Sequence, residues 1–458
     1  MRYGWLLFVW MIAACTKDDF LNLPDARIRI SADTIRFDTV FVTRGSTYRS
    51  FQLANDYNKP LLIRSIRLIG GTNSPFKLNL NGSAGTEFNN WIIPERDSVY
   101  GWVQVNIDPN NQTLPFVIRD SLLIEFNGRT QKIQLEAWGR NAHFLRNVQL
   151  TQSVTWSNDK PYVILDGLTI EPNATLTLSP GVELYMHANA PIVVKGSIRA
   201  LGQADSSQRI RIQGDRLDEP YRDLPGAWPG IFIQPGSANN LFRYTLIRQA
   251  YQALVVEQGG NATVPTLQLE QCEIDNAYEA GLISVNSSIR AENCLISNCG
   301  QNTVLIGGGN YVFNHCTIAS YANRYLTHQK PVLTVTNSAG NITNPLQAQF
   351  RNCIFWGEGG TVEDEVAIIR NGTSAFQVNF SHVLWKMRST TLPATTDQII
   401  NNQPPLFESI EPGNNRYNFR LRTGSPALNA GTASSVLLDL DGKPRPVGQP
   451  DLGCFEKQ

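Results

Sequence analysis

Leu269-Glu270-Gln271-Cys272-Glu273-Ile274 is followed 22 residues later by Ala291-Glu292-Asn293-Cys294-Leu295-Ile296, and after another 22 by Phe313-Asn314-His315-Cys316-Thr317-Ile318. Phe350-Arg351-Asn352-Cys353-Ile354-Phe355 is a fourth copy, and looser ones stand at Leu241-Phe242-Arg243-Tyr244-Thr245-Leu246 and Phe380-Ser381-His382-Val383-Leu384-Trp385. A fixed short period marks a solenoid, in which a single turn cannot bury its apolar face and stacked neighbours make the core. The parity of the apolar positions adds direction. Leu267 and Leu269 are odd-numbered, Cys272 and Ile274 even-numbered, and Tyr311 and Phe313 are separated from Cys316 and Ile318 by the same flip. Side chains on a strand alternate with period 2, so a flip requires a corner between two short strands. The second residue of the intervening pair is Gln271, Asn293, His315, Asn352 or His382, and Asn and His are enriched in the positive-φ conformations of sharp bends. The expected fold class is all-β: a right-handed parallel β-helix of roughly ten coils stacked about 4.8 Å apart.

This assignment gives the recurring cysteines and histidines a structural role. Cys272, Cys294, Cys316 and Cys353 become an inward column of small buried hydrophobes, expected to stay mostly free because ladder geometry points their side chains along parallel vectors. His315 and His382 occupy the bend column, which favours structure over catalysis or metal binding.

Upstream, the runs Ile35–Val42, Ser50–Leu53, Leu61–Leu68, Tyr100–Ile107, Asp120–Phe126 and Gln131–Ala137 are separated by turn signals such as Asn81-Gly82 and Asn127-Gly128. They read as a β-sandwich preceding the helix. Leu168–Val182 and Ile192–Ile198 read as opening coils, and Gly214–Pro229 as a long polar excursion between Ile210-Arg211-Ile212 and Gly230-Ile231-Phe232-Ile233. At the start, Arg2, the apolar run Trp5–Ile12 and Ala13-Ala14-Cys15 have the charge, short core and small residues of a secretory signal, too short to span a bilayer. The expected organisation is 1–14 signal peptide, 15–30 tether, 31–142 sandwich, 143–400 β-helix and 401–458 a C-terminal segment.

Three sets of phrases resemble known families. Ile12-Ala13-Ala14-Cys15 resembles the lipobox of bacterial lipoproteins, which implies lipidation at Cys15, and Thr16-Lys17-Asp18-Asp19 resembles the export signal of Bacteroidota surface lipoproteins. That implies a membrane partner through the Cys15 lipid and display on the outer membrane. Phe37-Asp38-Thr39-Val40, Ser74-Pro75-Phe76 and Asn127-Gly128 with Gln131 resemble the immunoglobulin-like domains of the hydin and sperm-protein type. Gly424-Ser425-Pro426-Ala427-Leu428-Asn429-Ala430-Gly431, Asp439-Leu440-Asp441-Gly442-Lys443-Pro444-Arg445-Pro446 and Asp451-Leu452-Gly453-Cys454-Phe455-Glu456 resemble the closing segment of β-helix surface proteins of the pectin-lyase-like superfamily. Asn429 and Cys454 stand where that segment has Asp and Ala. The resemblance implies architecture; such proteins include polysaccharide lyases, hydrolases and adhesins.

With 39 basic and 39 acidic side chains among 458 residues, the chain has no electrostatic footprint for nucleic acid. One segment has the composition of a polysaccharide lyase site. Asp215, Asp218, Glu219 and Asp223 with Arg216 and Arg222 could gather Ca²⁺ and a base, and Trp228 could serve as a stacking platform for sugar. The plainer reading is a solvated loop of Arg–Asp pairs with Trp228 folded back as packing. Glu363-Asp364-Glu365 with Lys386 and Arg388 is a second, weaker set. No pair of carboxylates on core strands is evident for glycoside hydrolysis, and no resident metal or cofactor is indicated outside the lyase alternative. Asp33-Thr34, Asp38-Thr39, Asp97-Ser98 and Asp120-Ser121, each followed by an apolar residue, match a glycosylation pattern of exported Bacteroidota proteins and equally fit strand starts. The favoured function is non-catalytic binding of polysaccharide or a surface protein; the alternative is a polysaccharide lyase or glycoside hydrolase acting on acidic polysaccharide.

Overall fold

The computed structural model describes residues 19–41, 45–108, 116–219, 221–259, 264–445 and 448–458. The lipobox and Cys15 therefore lie outside the described residues. Two compact units divide after Arg140, the second being Asn141–Gln458.

The first unit is a sandwich of two five-stranded sheets. One has the order Arg29–Ile30, Arg49–Ala54, Ser98–Val105, Phe76–Leu80, Ser83–Gly85; the other has Thr34–Phe41, Arg129–Arg140, Phe116–Phe126, Leu61–Leu68, Glu87–Ile93. Alternating residues such as Leu61, Ile63, Ile124 and Leu135 are fully buried between them. All pairings are antiparallel except that of Arg129–Arg140 with Thr34–Phe41. The expected tether is shorter than 15–30, because Leu21, Ala26 and Ile28 are apolar and sink into this unit. Gln131 holds Ile28 from both sides, accepting from its N–H at 2.9 Å and donating to its carbonyl at 3.1 Å. Ser121, one of the four glycosylation-like positions, is buried, and Asp120 in front of it ties Gly70 and Ser74.

The second unit is the parallel β-helix. Its 23 strands wind as one continuous parallel ladder from His143–Leu150 to Thr395–Asn401. Each coil contributes to three faces. The first face stacks Tyr162, Leu184, Ile212, Ile247, Ile274, Ile296, Ile318, Phe355 and Trp385 in register. The second stacks Leu168, Ile192, Ile231, Leu254 and Leu282. On the third, Phe242, Leu269, Ala291, Phe313, Phe350 and Phe380 succeed one another, with the last three rings 5.3 and 4.8 Å apart. The sequence phrase joins the third face to the first.

The corner expected between them is present. Tyr244, Gln271, Asn293, His315, Asn352 and His382 all have φ between 43° and 56°. The six cysteines among the described residues are free and buried, and Cys272, Cys294, Cys316 and Cys353 stand immediately after these bends. Their thiols donate to backbone carbonyls, Cys272 to Phe242 O at 3.2 Å and Cys316 to Ala291 O at 3.5 Å. A second set of bends at Gln249, Asn276 and Asn298 leads from the first face to the second. Here the longest excursions leave the ladder.

The C-terminal segment covers the outside of the first face. Phe407, Phe419, Leu421, Leu440, Leu452 and Phe455 pack on Leu295, Ala319, Tyr321, Ile354 and Trp356, whose side chains point away from the axis. Two strands of this segment, Phe407–Glu411 and Arg416–Leu421, form an antiparallel hairpin. The first face is thus buried on both sides, which explains why strands such as Thr317–Tyr321 carry no solvent-facing alternation.

Candidate functional site

The excursion expected at 214–229 departs from the first face after Ile210–Gly214, makes a single 3₁₀ turn at Tyr221–Asp223, and rejoins at Trp228–Ile233, so it lies within 215–227. Its carboxylates are held by side chains within reach. Asp218 takes both arms of Arg216 at 2.8 and 2.9 Å, and that guanidinium also lies 3.8 Å over the Tyr221 ring. Glu219 pairs with Arg222 at 2.5 Å, Asp223 sits 3.7 Å from the same guanidinium, and Asp215 bonds His187 at 2.9 Å. Ca²⁺ takes six to eight oxygens, and these carboxylates are spread over two guanidinium groups and an imidazole; they do not form its cradle. Among the described residues, no group of three His, Cys, Asp or Glu is placed to hold a metal ion.

Trp228 is not a platform in this loop. It is 1 % exposed, belongs to the helix core and donates its indole N–H to Arg248 O at 2.8 Å. The excursion ends one residue before it, and the ladder register points its side chain to the axis. Trp228→Phe should therefore lower stability by about 1–2 kcal/mol through the unsatisfied Arg248 carbonyl and lost volume. A thermal melt checks this, and a variant as stable as wild type would restore Trp228 to the loop.

The second set does meet. Glu363 pairs with Arg388 at 2.5 Å, and Asp364 accepts from the Arg388 and Ser389 amides. Glu365 is fully buried, 2.8 Å from His328 Nε2 and 3.8 Å from Lys386 Nζ. Gly357 makes room for this group, since a Cβ there would fall 2.2 Å from His328 Nε2. His328, also buried, had no sequence signal. The cluster joins three successive excursions of the corner, and its Glu365–His328 centre is closed to a substrate.

Glu270 and Glu292 are a pair that sequence reasoning passed over. They are register partners on neighbouring coils of the third face. Arg243 holds Glu270 at 2.6 Å, whereas burial, helped by the charge on Glu270 and opposed by Arg290, pushes the Glu292 carboxyl above its ordinary value. Their signal was present in the aligned phrases, where both precede the bend residue.

Open space lies beside the excursion. A cleft of 260 Å³ is lined by Glu219, Arg222 and Asp223, by Arg324 and Tyr325 from the 322–330 loop, and by Gly413, Asn414 and Asn415 at the hairpin tip. Arg324 lies 4.6 Å over the Tyr325 ring and bonds its hydroxyl. On the other flank of the excursion, Gly226 packs on the exposed rings of Tyr278 and Tyr251, and Asn276 donates to Asp223 O at 2.9 Å.

No family model matches the chain. It is 29% identical over 188 residues to the Drosophila melanogaster protein bark beetle, a stretch of 39% of this chain and 5% of that protein, so the chain spans one twentieth of that relative's length. A family 123 glycoside hydrolase from Clostridium perfringens, solved in a study of glycolipid glycan hydrolysis, is similar in structure over 25% of this chain and 26% of its own. Identity there is 10% and the TM-score 0.18.

Proposed function

We propose that the chain is a lipid-anchored protein of the outer membrane, displayed at the cell surface, whose β-helix binds glycan without catalysis. The lipobox at Ile12-Ala13-Ala14-Cys15 supports the anchor, and no described helix is long and apolar enough to cross a membrane. The closing Asp439–Arg445 and Asp451–Glu456 phrases support kinship with pectin-lyase-like surface lipoproteins, and the Thr34–Phe41 and Arg129–Arg140 pairing fits an immunoglobulin-like first unit. The observation that carries the binding reading is the polar cleft. Three separate segments converge on it with two guanidinium groups, two amide side chains and a tyrosine, the mixture of hydrogen-bond donors and ring face that suits hydroxylated ligands.

A second reading has its own support. Glu270, paired with Arg243 at 2.6 Å, stands beside Glu292, whose carboxyl burial pushes above its ordinary value, and two carboxylates in unlike environments are what a glycoside hydrolase needs. Incubating the purified full chain with neutral and uronate polysaccharides decides between them. Retention of polysaccharide with no new reducing ends or unsaturated products supports binding alone. Turnover that Glu292→Gln abolishes supports hydrolysis, and neither retention nor turnover refutes both.

A further inference from the structure

The corner between the first and second faces carries an aromatic stack with one open end. Tyr251 and Tyr278 occupy the same place in successive coils: the Tyr278 amide donates to Ala250 O at 2.9 Å and the Glu279 amide to Tyr251 O at 2.8 Å. Their rings lie 5.3 Å apart and 24° from parallel, and the residues are 46% and 51% exposed. The phenylalanine column inside the helix shows the same stacking, but it is buried and adds to the core. The tyrosine column keeps about half its surface in water and contributes little of that kind of stabilisation.

In the next coil the place belongs to Gly300, whose amide donates to Ala277 O at 3.0 Å. A Cβ there would lie 2.2 Å from Tyr278 O and 3.0 Å from Glu279 O, so the backbone runs too close for any side chain. The column ends on Tyr278 with a bare glycine where a third ring would stand. Coil spacing, about 4.8 Å, is also the separation at which a flat ring contacts an aromatic face.

We infer that a pyranose ring of a bound glycan takes that third position, stacking on Tyr278 above Gly300. A sugar presents aliphatic C–H bonds on one face, which meet the negative π-surface, and hydroxyls around its rim. The rim has partners on the page. The Glu279 carboxylate accepts from Gln252 at 2.9 Å and keeps further lone pairs, and Gln301, next to Gly300 in the chain, donates to Thr334 at 3.0 Å. Gly226, with φ of 78°, lays the 215–227 excursion against Tyr278 and fixes the wall on the other side. This subsite deepens the glycan-binding reading and rests on it, but its residues are separate from those of the polar cleft.

Affinity electrophoresis of the purified full chain through gels containing homogalacturonan, xylan or β-glucan tests both. Retardation in at least one gel is expected, weakened about tenfold by Tyr278→Ala and retained by Tyr278→Phe. Tyr278 is half exposed and outside the core, and a melt unchanged from wild type confirms that Tyr278→Ala folds. If Tyr278→Ala migrates as wild type does while Arg324→Ala is released, the stacking subsite is refuted and the cleft stands. If Tyr278→Ala is released and Arg324→Ala is not, the subsite stands and the cleft falls. If no gel retards the wild type, both fail.

Discussion

Replacing Arg445 by leucine should detach the C-terminal segment from the first face, at a cost of about 3–5 kcal/mol. Arg445 and Glu456 face each other at 2.8 Å with both side chains 1 % exposed. The same guanidinium donates to Gly453 O at 2.8 Å and Asp451 O at 3.3 Å, while Glu456 accepts from the Asp451 amide and gives its own amide to Asp439. One cation therefore closes two loops of the segment. Leucine leaves a carboxylate buried without its partner and two carbonyls without donors, which is far worse than losing a surface pair. The closed loops aim Gly453 and Cys454 at the helix, where their amides bond Asn352 O at 2.8 Å and Thr317 Oγ1 at 3.0 Å. Opening them uncovers Tyr321, Ile354 and Trp356, so protease sensitivity and amide exchange across 430–458 should rise together. The double change Arg445→Leu with Glu456→Leu should recover much of the loss, because a buried pair replaced by apolar groups is often neutral. A single variant that melts with wild type, with the segment still protected, would contradict this account.

The same pair explains what the sequence could and could not disclose. The phrases around Asp439, Arg445, Asp451 and Glu456 were recognisable by resemblance, but nothing in their spacing showed that their charges meet inside a loop. The bends were open to physical reading. A parity flip demands a corner, and Gln, Asn or His at that point marks positive φ, so Gln271, Asn293, His315, Asn352 and His382 could be placed from alternation alone. Trp228 was open to two readings, platform or packing, because composition marks where a polar excursion runs and not where the next strand resumes; its burial in the helix core agrees with packing. Tyr251 and Tyr278 were hidden for another reason. They are 27 residues apart, since the 258–266 connection lengthens that coil, and a search at the 22-residue period does not align them. Glu270 and Glu292 do lie at that period, but spacing does not show that Arg243 takes one of them while burial acts on the other. His328 and Glu365 come from excursions of different length, and only the fold brings them together.

His315 should make the β-helix lose stability in acid, and His315→Asn should remove that loss. Its ring is 1 % exposed at the bend, where Nε2 accepts from Asn352 Nδ2 at 3.0 Å and lies 3.2 Å from Ser434 Oγ. Burial, with the positive charges of Arg445 and Arg351 adding to it, pushes the imidazole down to about 3. In the unfolded chain a histidine titrates near about 6.5, so below that pH the unfolded state binds a proton that the folded state refuses. The stabilisation is complete above about pH 6.5 and is lost as pH falls toward the folded value, at roughly 1.4 kcal/mol per pH unit through the middle of that window. Asparagine already serves this bend at positions 293 and 352, so His315→Asn should stay within about 1 kcal/mol of wild type at neutral pH while the difference between the two narrows and reverses on acidification. His315→Val should be worse at every pH by about 2 kcal/mol, since a β-branched residue resists a φ of 52°. Exchange of the Thr317 and Ile354 amides, which bond Cys294 and Cys316 carbonyls across the coils, reports on these rungs without requiring the whole chain to unfold at once. Parallel acid profiles for wild type and His315→Asn would mean that the ring accepts its proton in place, and the neutral bend would then have to be abandoned.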